Sequence, residues 1–113
     1  MKVAVGTHVL GNLYGCPKQL LKKVNVVKAI LEKTVTEAKF NSVGNVFHQF
    51  TPFGVTGVFI LTESHLSIHT WPEKNFATVD VFTCGKEGNA EIGFEILCKY
   101  FKPNKVEKQV VHR

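Results

Sequence analysis

Leu61-Thr62-Glu63-Ser64-His65-Leu66-Ser67-Ile68-His69-Thr70-Trp71-Pro72-Glu73, with the alternating run over residues 76–84 that follows it, decides how this chain folds. Successive side chains of a strand point to opposite faces, so His65, Ser67, His69 and Trp71 share one face while Leu66, Ile68 and Thr70 share the other. In the second run Phe76, Thr78, Asp80, Phe82 and Cys84 alternate with Ala77, Val79, Val81 and Thr83. Pro72-Glu73-Lys74-Asn75 between them reads as a turn, which predicts a hairpin with a serine, a histidine and a cysteine converging near one end. Histidines, hydroxyls and carboxylates at this density exceed what an ordinary core strand requires.

Working outward, residues 40–50 and 55–62 read as two further strands around Thr51-Pro52-Phe53-Gly54. Val58-Phe59-Ile60-Leu61 is apolar on both faces, which predicts a central strand covered on both sides. Residues 3–10 read as a first strand closed by the turn signal Gly11-Asn12. Pro17 can open a helix, and Leu20, Leu21, Val24, Val27, Ile30, Leu31 and Val35 recur at helical spacing through Ala38, with a break expected around the β-branched Val24, Val26 and Val27. Residues 90–101 predict a second amphipathic helix, stopped by Pro103, and residues 106–111 a terminal strand. The order β-α-β-β-β-α-β gives an α+β two-layer sandwich, a mainly antiparallel sheet with two helices on one face. One helix layer covers one face, so the other is assigned to homodimerisation.

The 113 residues, 44% hydrophobic and 20% charged, suit one domain spanning 1–113, without repeats or low-complexity linkers. The formal charge of +5 comes from lysines scattered among acidic residues. Lys18, Lys22, Lys23 and Lys28 cluster on the first helix but lack interleaved aromatics, so a solvated face is expected rather than a nucleic-acid surface. Cys16, Cys84 and Cys98 contain no CxxC spacing and cannot all pair within one chain, which predicts free thiols in a reducing compartment. The opening residues are too polar for a signal peptide and no run of eighteen apolar residues occurs, so a soluble, cytoplasmic protein without a membrane partner is expected.

Glu63-Ser64-His65, Ser67-Ile68-His69-Thr70-Trp71-Pro72-Glu73 and Val79-Asp80-Val81-Phe82-Thr83-Cys84-Gly85 together resemble the prokaryotic S-adenosylmethionine decarboxylase proenzymes. The resemblance runs from about Gly6 to Gly85 and includes Gly54-Val55-Thr56-Gly57-Val58 and the opening Gly6-Thr7-His8. Decarboxylating an amino acid needs an electron sink, which a carbonyl forming a Schiff base with the substrate amine supplies. The resemblance implies that this carbonyl is a pyruvoyl group made from Ser64, with no metal and no pyridoxal phosphate. Ser64 would attack the Glu63 carbonyl and self-cleavage would yield chains 1–63 and 64–113.

By the same resemblance His69 and Thr56 assist processing, and Cys84 returns a proton to the substrate during decarboxylation. Thr56 stands where the family commonly has serine, which keeps the hydroxyl but adds a methyl that restricts χ1. Phe50 and Trp71 match aromatic positions that hold the cationic substrate, Glu73 matches a carboxylate for ribose hydroxyls, and His8 is expected near the pocket. The family places its site between two protomers. The product would be decarboxylated S-adenosylmethionine, the aminopropyl donor for spermidine.

Other functions stay open on the sequence. Some relatives with the same processing motif decarboxylate arginine, and Glu73 could face a guanidinium. An uncleaved paralogue acting as a binding or regulatory subunit would carry the same fold. A zinc site from His65, His69 and Cys84 is disfavoured, because the histidines lie about 13 Å apart along a strand. A Ser64-His69 hydrolase lacks the nucleophile elbow. Each of Cys84, Phe50, His48 and Asp80 also has a plain reading as a buried thiol, core ring or satisfied polar group, although Asp80 shares the face of Cys84.

Overall fold

A computed structural model describes residues 5–84 and 89–113. Its elements are β1 (Gly6–Tyr14), α1 (Val24–Glu37), β2 (Ser42–Gln49), β3 (Val55–Leu61), β4 (His65–Trp71), β5 (Phe76–Cys84), α2 (Ala90–Phe101) and β6 (Lys105–His112), with short 3-10 turns at Lys18–Leu20 and Pro72–Lys74. The strands form one sheet in the order β2-β3-β4-β5-β1-β6, and every neighbouring pair is antiparallel. This is the two-layer α+β sandwich expected, with six strands rather than the five of β-α-β-β-β-α-β. The reactive hairpin contributes two strands in addition to the two that lie between it and α1.

Alternation set the hairpin register. His65 lies opposite Phe82, Ser67 opposite Asp80 and Trp71 opposite Phe76. The turn closes on Asn75, which adopts a left-handed conformation at φ 51° and donates its side-chain N–H to the Cys16 carbonyl at 3.0 Å. That tie fixes the hairpin tip against the segment after β1.

The inner face of the sheet carries Val9, Leu13, Phe59, Leu66, Ile68, Val79 and Val81, buried against Val27, Ile30 and Leu31 of α1 and Phe94, Leu97 and Phe101 of α2. Each such side chain contributes about 1.5–3 kcal/mol on burial, whereas a β-branched residue within a helix costs up to about 0.7 kcal/mol. Burial therefore wins at Val24, Val26 and Val27, which remain in α1. Helix α2 begins where Asn89 accepts from the N–H groups of Glu91 and Ile92 at 2.9 and 3.2 Å, and it ends on the left-handed Lys102 before Pro103.

Two boundaries differ from the expectation. Gly11-Asn12 does not turn the chain: β1 runs through both, pairing with Val79 and Thr78 of β5 on one side and with Lys108 and Glu107 of β6 on the other. Gly11 instead makes room for α2, since a Cβ there would lie 2.1 Å from the Phe94 ring. The first helix does not run unbroken from Pro17, and its interruption falls at residues 21–23, ahead of the β-branched cluster. The carbonyls freed there accept hydrogen bonds from Thr70 Oγ1 (Leu21 O, 2.7 Å) and Gln49 Nε2 (Lys22 O, 2.9 Å). Val3 and Ala4 of the predicted first strand and Gly85 of the cysteine motif lie outside the described residues.

Both helices lie on one face. In the single chain β3 is buried only on that side, through Val55, Gly57, Phe59 and Leu61, and it sits second from the sheet edge. The expected cover on its outer side is absent among the described residues: Ile60 is 50% exposed and Val46, opposite Val58 on β2, 66%.

Candidate functional site

The open face of the sheet gathers the chemistry into two groups at opposite ends of β4. At the first end, the turn 62–64 meets the end of β5. Ser64 is buried, its Oγ accepts the Cys84 backbone N–H at 3.0 Å, and the Cys84 thiol donates to the Glu63 carbonyl at 2.8 Å. Leu61 N–H donates to the Ser64 carbonyl at 2.9 Å, which closes the turn and holds the 63–64 peptide in place. Gly6 pairs with Cys84 from β1, where a Cβ would lie 2.3 Å from the Thr83 carbonyl.

At the other end, Thr56 and His69 face each other across β3 and β4, with Thr56 Oγ1 and His69 Nδ1 3.0 Å apart. They border a cleft of about 350 Å³ lined also by Phe50, Phe53, Trp71 and Glu73. His48 stands edge-on to Phe50 with ring centroids 4.6 Å apart, and Trp71 begins a row of rings continuing through Phe76 to Tyr14. A second concavity, lined by Lys18, Lys22, Phe53 and Glu73, adjoins the cleft.

Five residues separate Ser64 from His69 and seven separate it from Trp71. At about 3.3 Å per residue along β4 these gaps are about 16 and 23 Å. Of the residues singled out in the sequence, the structure thus brings together Glu63, Ser64 and Cys84 as one group, and Phe50, Thr56, His69, Trp71 and Glu73 as another. It does not bring the two groups together within one chain, and His69 does not join the serine and cysteine. Phe53, His48 and Gln49 were not assigned to the site from sequence. Phe53 looked like part of a plain turn, and nothing in a lone sequence shows which side of that turn is concave.

Between the two ends lies a polar cluster. His8 Nε2 is 3.3 Å from Asp80 Oδ1, Ser67 Oγ donates to Asp80 Oδ2 at 3.4 Å, and His65 sits edge-on to His8 with centroids 5.9 Å apart. Burial holds the His65 pKa below its ordinary range; the charge of His8 adds to this, Asp80 opposes it and Arg113 adds again. A histidine whose folded pKa is depressed leaves the unfolded chain binding more protons, so its stabilisation is complete above about pH 6.5 and is lost as pH falls through the folded value. Thermal denaturation followed from neutral to mildly acidic pH is expected to show Tm falling, with His65→Gln flattening the slope; an unchanged slope would assign the acid sensitivity elsewhere.

The cysteines are free. Cys16 is fully buried, and burial, with nearby Cys98 adding, pushes its thiol up to about 11. Among the described residues no three His, Cys, Asp or Glu side chains come together as a set able to hold a metal ion, and no helix is long and apolar enough to cross a membrane.

An antiparallel α+β sandwich with a serine, a cysteine and a turn carbonyl knotted at one end of its open face, and an aromatic cleft at the other, defines a narrow class, and the comparisons with known proteins place it. A model of the S-adenosylmethionine decarboxylase family matches residues 7–113, and the chain belongs to that family. It is 42% identical over 109 residues to the S-adenosylmethionine decarboxylase proenzyme of Archaeoglobus fulgidus, covering 96% of this chain and 97% of that one. Against the proenzyme of Aquifex aeolicus it is 39% identical over 113 residues, 100% of this chain and 84% of the other. The crystal structure of the adenosylmethionine decarboxylase from Aquifex aeolicus superposes with a TM-score of 0.94 at 37% identity, covering 99% of this chain and 92% of that one. A Trypanosoma brucei AdoMetDC monomer shares the fold at a TM-score of 0.67 and 18% identity, with this chain spanning 45% of its length.

Proposed function

We propose that this chain is a self-processing decarboxylase that converts S-adenosylmethionine to its decarboxylated form, the aminopropyl donor for spermidine. The observation that carries this reading is the knot at the 63–64 bond. The Cys84 thiol donates to the Glu63 carbonyl oxygen while the Cys84 N–H donates to Oγ of the next residue, Ser64. Attack by Oγ on the Glu63 carbonyl carbon places negative charge on that oxygen, and a donor already aimed there stabilises it without reorganisation.

Collapse of the adduct breaks the Glu63–Ser64 C–N bond, protonates the nitrogen and leaves an ester. Loss of the Ser64 α-proton and cleavage of its Cβ–O bond release Glu63 as a carboxylate and leave dehydroalanine. Tautomerisation and hydrolysis by water expel ammonia and leave a pyruvoyl group heading chain 64–113, with 1–63 as the other product. That group supplies the electron sink that decarboxylation requires. The residues around it fit: a thiol within reach of the 63–64 bond stands where a proton must be returned.

The second group of residues then belongs to the partner in a homodimer. A copy turned over about a two-fold axis crossing β4 near Ser67 lays the Ser64 and Cys84 end of one protomer on the Thr56, His69 and Trp71 end of the other. Such an isologous contact would also cover Val46, Ile60 and Val111, apolar side chains exposed on the same face. In it Thr56 and His69 reach the scissile bond from across the interface, and Phe50 and Trp71 offer ring faces to the sulfonium, worth about 0.5–2 kcal/mol each. Glu73 holds the ribose hydroxyls. Three unpaired thiols fit a reducing compartment, the cytoplasm.

The test is release of labelled carbon dioxide by the purified, cleaved protein. S-adenosylmethionine labelled at its carboxyl is expected to yield it and labelled arginine is not. Release from arginine alone, or from neither substrate by fully cleaved chains, would overturn the assignment.

A further inference from the structure

We infer that Gln49 is the positioning residue of the substrate cleft, acting through the loop 50–54; this rests on the cleft being the S-adenosylmethionine site. Phe50 and Phe53 both lie on that loop, and a five-residue connection at the sheet edge has no intrinsic reason to hold two rings at fixed positions. One side-chain amide ties it down. Gln49 Oε1 accepts the Val24 N–H at 2.8 Å, while the two N–H bonds of Nε2 are shared among the carbonyls of Lys22 at 2.9 Å, Gly54 at 2.9 Å and Phe50 at 3.1 Å. Two backbone bonds complete the frame: Gly54 N–H to Lys22 O at 3.0 Å and Phe50 N–H to Gly54 O at 2.8 Å.

The orientation of the amide is decided by its surroundings. Rotated by half a turn it would set a donor against the Val24 N–H and an acceptor against three carbonyls, so only one orientation is compatible. The loop is also bent in a way few residues tolerate, with Gly54 at φ +121°. On its outer side the ammonium groups of Lys22 and Lys23 stand 4.7 and 4.9 Å from the centre of the Phe53 ring. The interruption of the first helix at residues 21–23 thus has a use: it exposes the carbonyls from which the cleft wall hangs.

Gln49 touches neither substrate nor scissile bond on this reading, so its loss is expected to weaken binding and spare the chemistry. Gln49→Met keeps size and removes every hydrogen bond; Gln49→Glu keeps the acceptor for Val24 but turns a carboxylate toward three carbonyls. Both are expected to raise KM for S-adenosylmethionine about ten-fold, with kcat within about two-fold and the 63–64 bond still cleaved. Trp71 is the one tryptophan and lines the cleft, so titrating its fluorescence with S-adenosylmethionine in an uncleaved Ser64→Ala background reads the same loss as a shifted Kd.

A variant with unchanged KM and Kd, or one whose activity falls only through kcat in step with its unfolded fraction, would overturn the inference. Should Gln49→Met fail to fold, Gln49→Glu carries the measurement. If the unsubstituted protein releases no carbon dioxide from S-adenosylmethionine, the functional reading fails instead, and the two failures stay distinct.

Discussion

A Ser64→Ala chain is expected to persist as one polypeptide of 12.6 kDa and to release no carbon dioxide from S-adenosylmethionine. Alanine removes the oxygen that attacks the Glu63 carbonyl, and among the described residues no other hydroxyl is hydrogen-bonded to the Cys84 N–H. The fold has little reason to change, because among the described residues Ser64 makes one side-chain hydrogen bond at the edge of the core, worth about 0.5–1.5 kcal/mol. Intact mass separates the outcomes: the parent protein splits into two chains at 63–64 and the variant does not. Turnover by an uncleaved Ser64→Ala chain would be incompatible with a serine-derived carbonyl.

Two inactive chains are expected to rescue each other when coexpressed. Cys84→Ala damages only the first group of residues, and Trp71→Ala, opposite Phe76, only the second, about 26 Å away by strand length. If each site takes one group from either protomer, a mixed dimer contains one wholly intact site and one doubly damaged site. Random pairing makes half of the dimers mixed, with one good site of two, so activity should return to about a quarter of the parent value in an isologous dimer. Sites confined to one chain would give no recovery. Sedimentation of the parent protein as a monomer at micromolar concentration would remove the premise.

Much of this was legible in residues alone. Period-two alternation in 65–71 and 76–84 fixed which side chains face the helices, because a one-residue slip would have put Leu66, Ile68, Val79 and Val81 into water. Pro103 marked the end of α2 because helix stops act through local backbone geometry. Gly11-Asn12 misled for a complementary reason: a strand glycine that makes room for a ring on another element looks locally like a turn glycine. The break at residues 21–23 was equally hidden, since Thr70 and Gln49, which satisfy its carbonyls, lie 49 and 27 residues away.

The sequence by itself determined the family, the faces of the strands and the identity of the reactive residues, because side-chain chemistry and alternation are local properties. Only the tertiary structure decided how those residues are distributed. Alternation places Ser64, His69 and Trp71 along one strand but says nothing of what stands beside each. The long-range pairing of β4 with β5 brings Cys84 to the Glu63 carbonyl, while its pairing with β3 sets Thr56 beside His69 at the far end. A strand is stiff and extended, so two groups on it cannot be drawn together by any local adjustment.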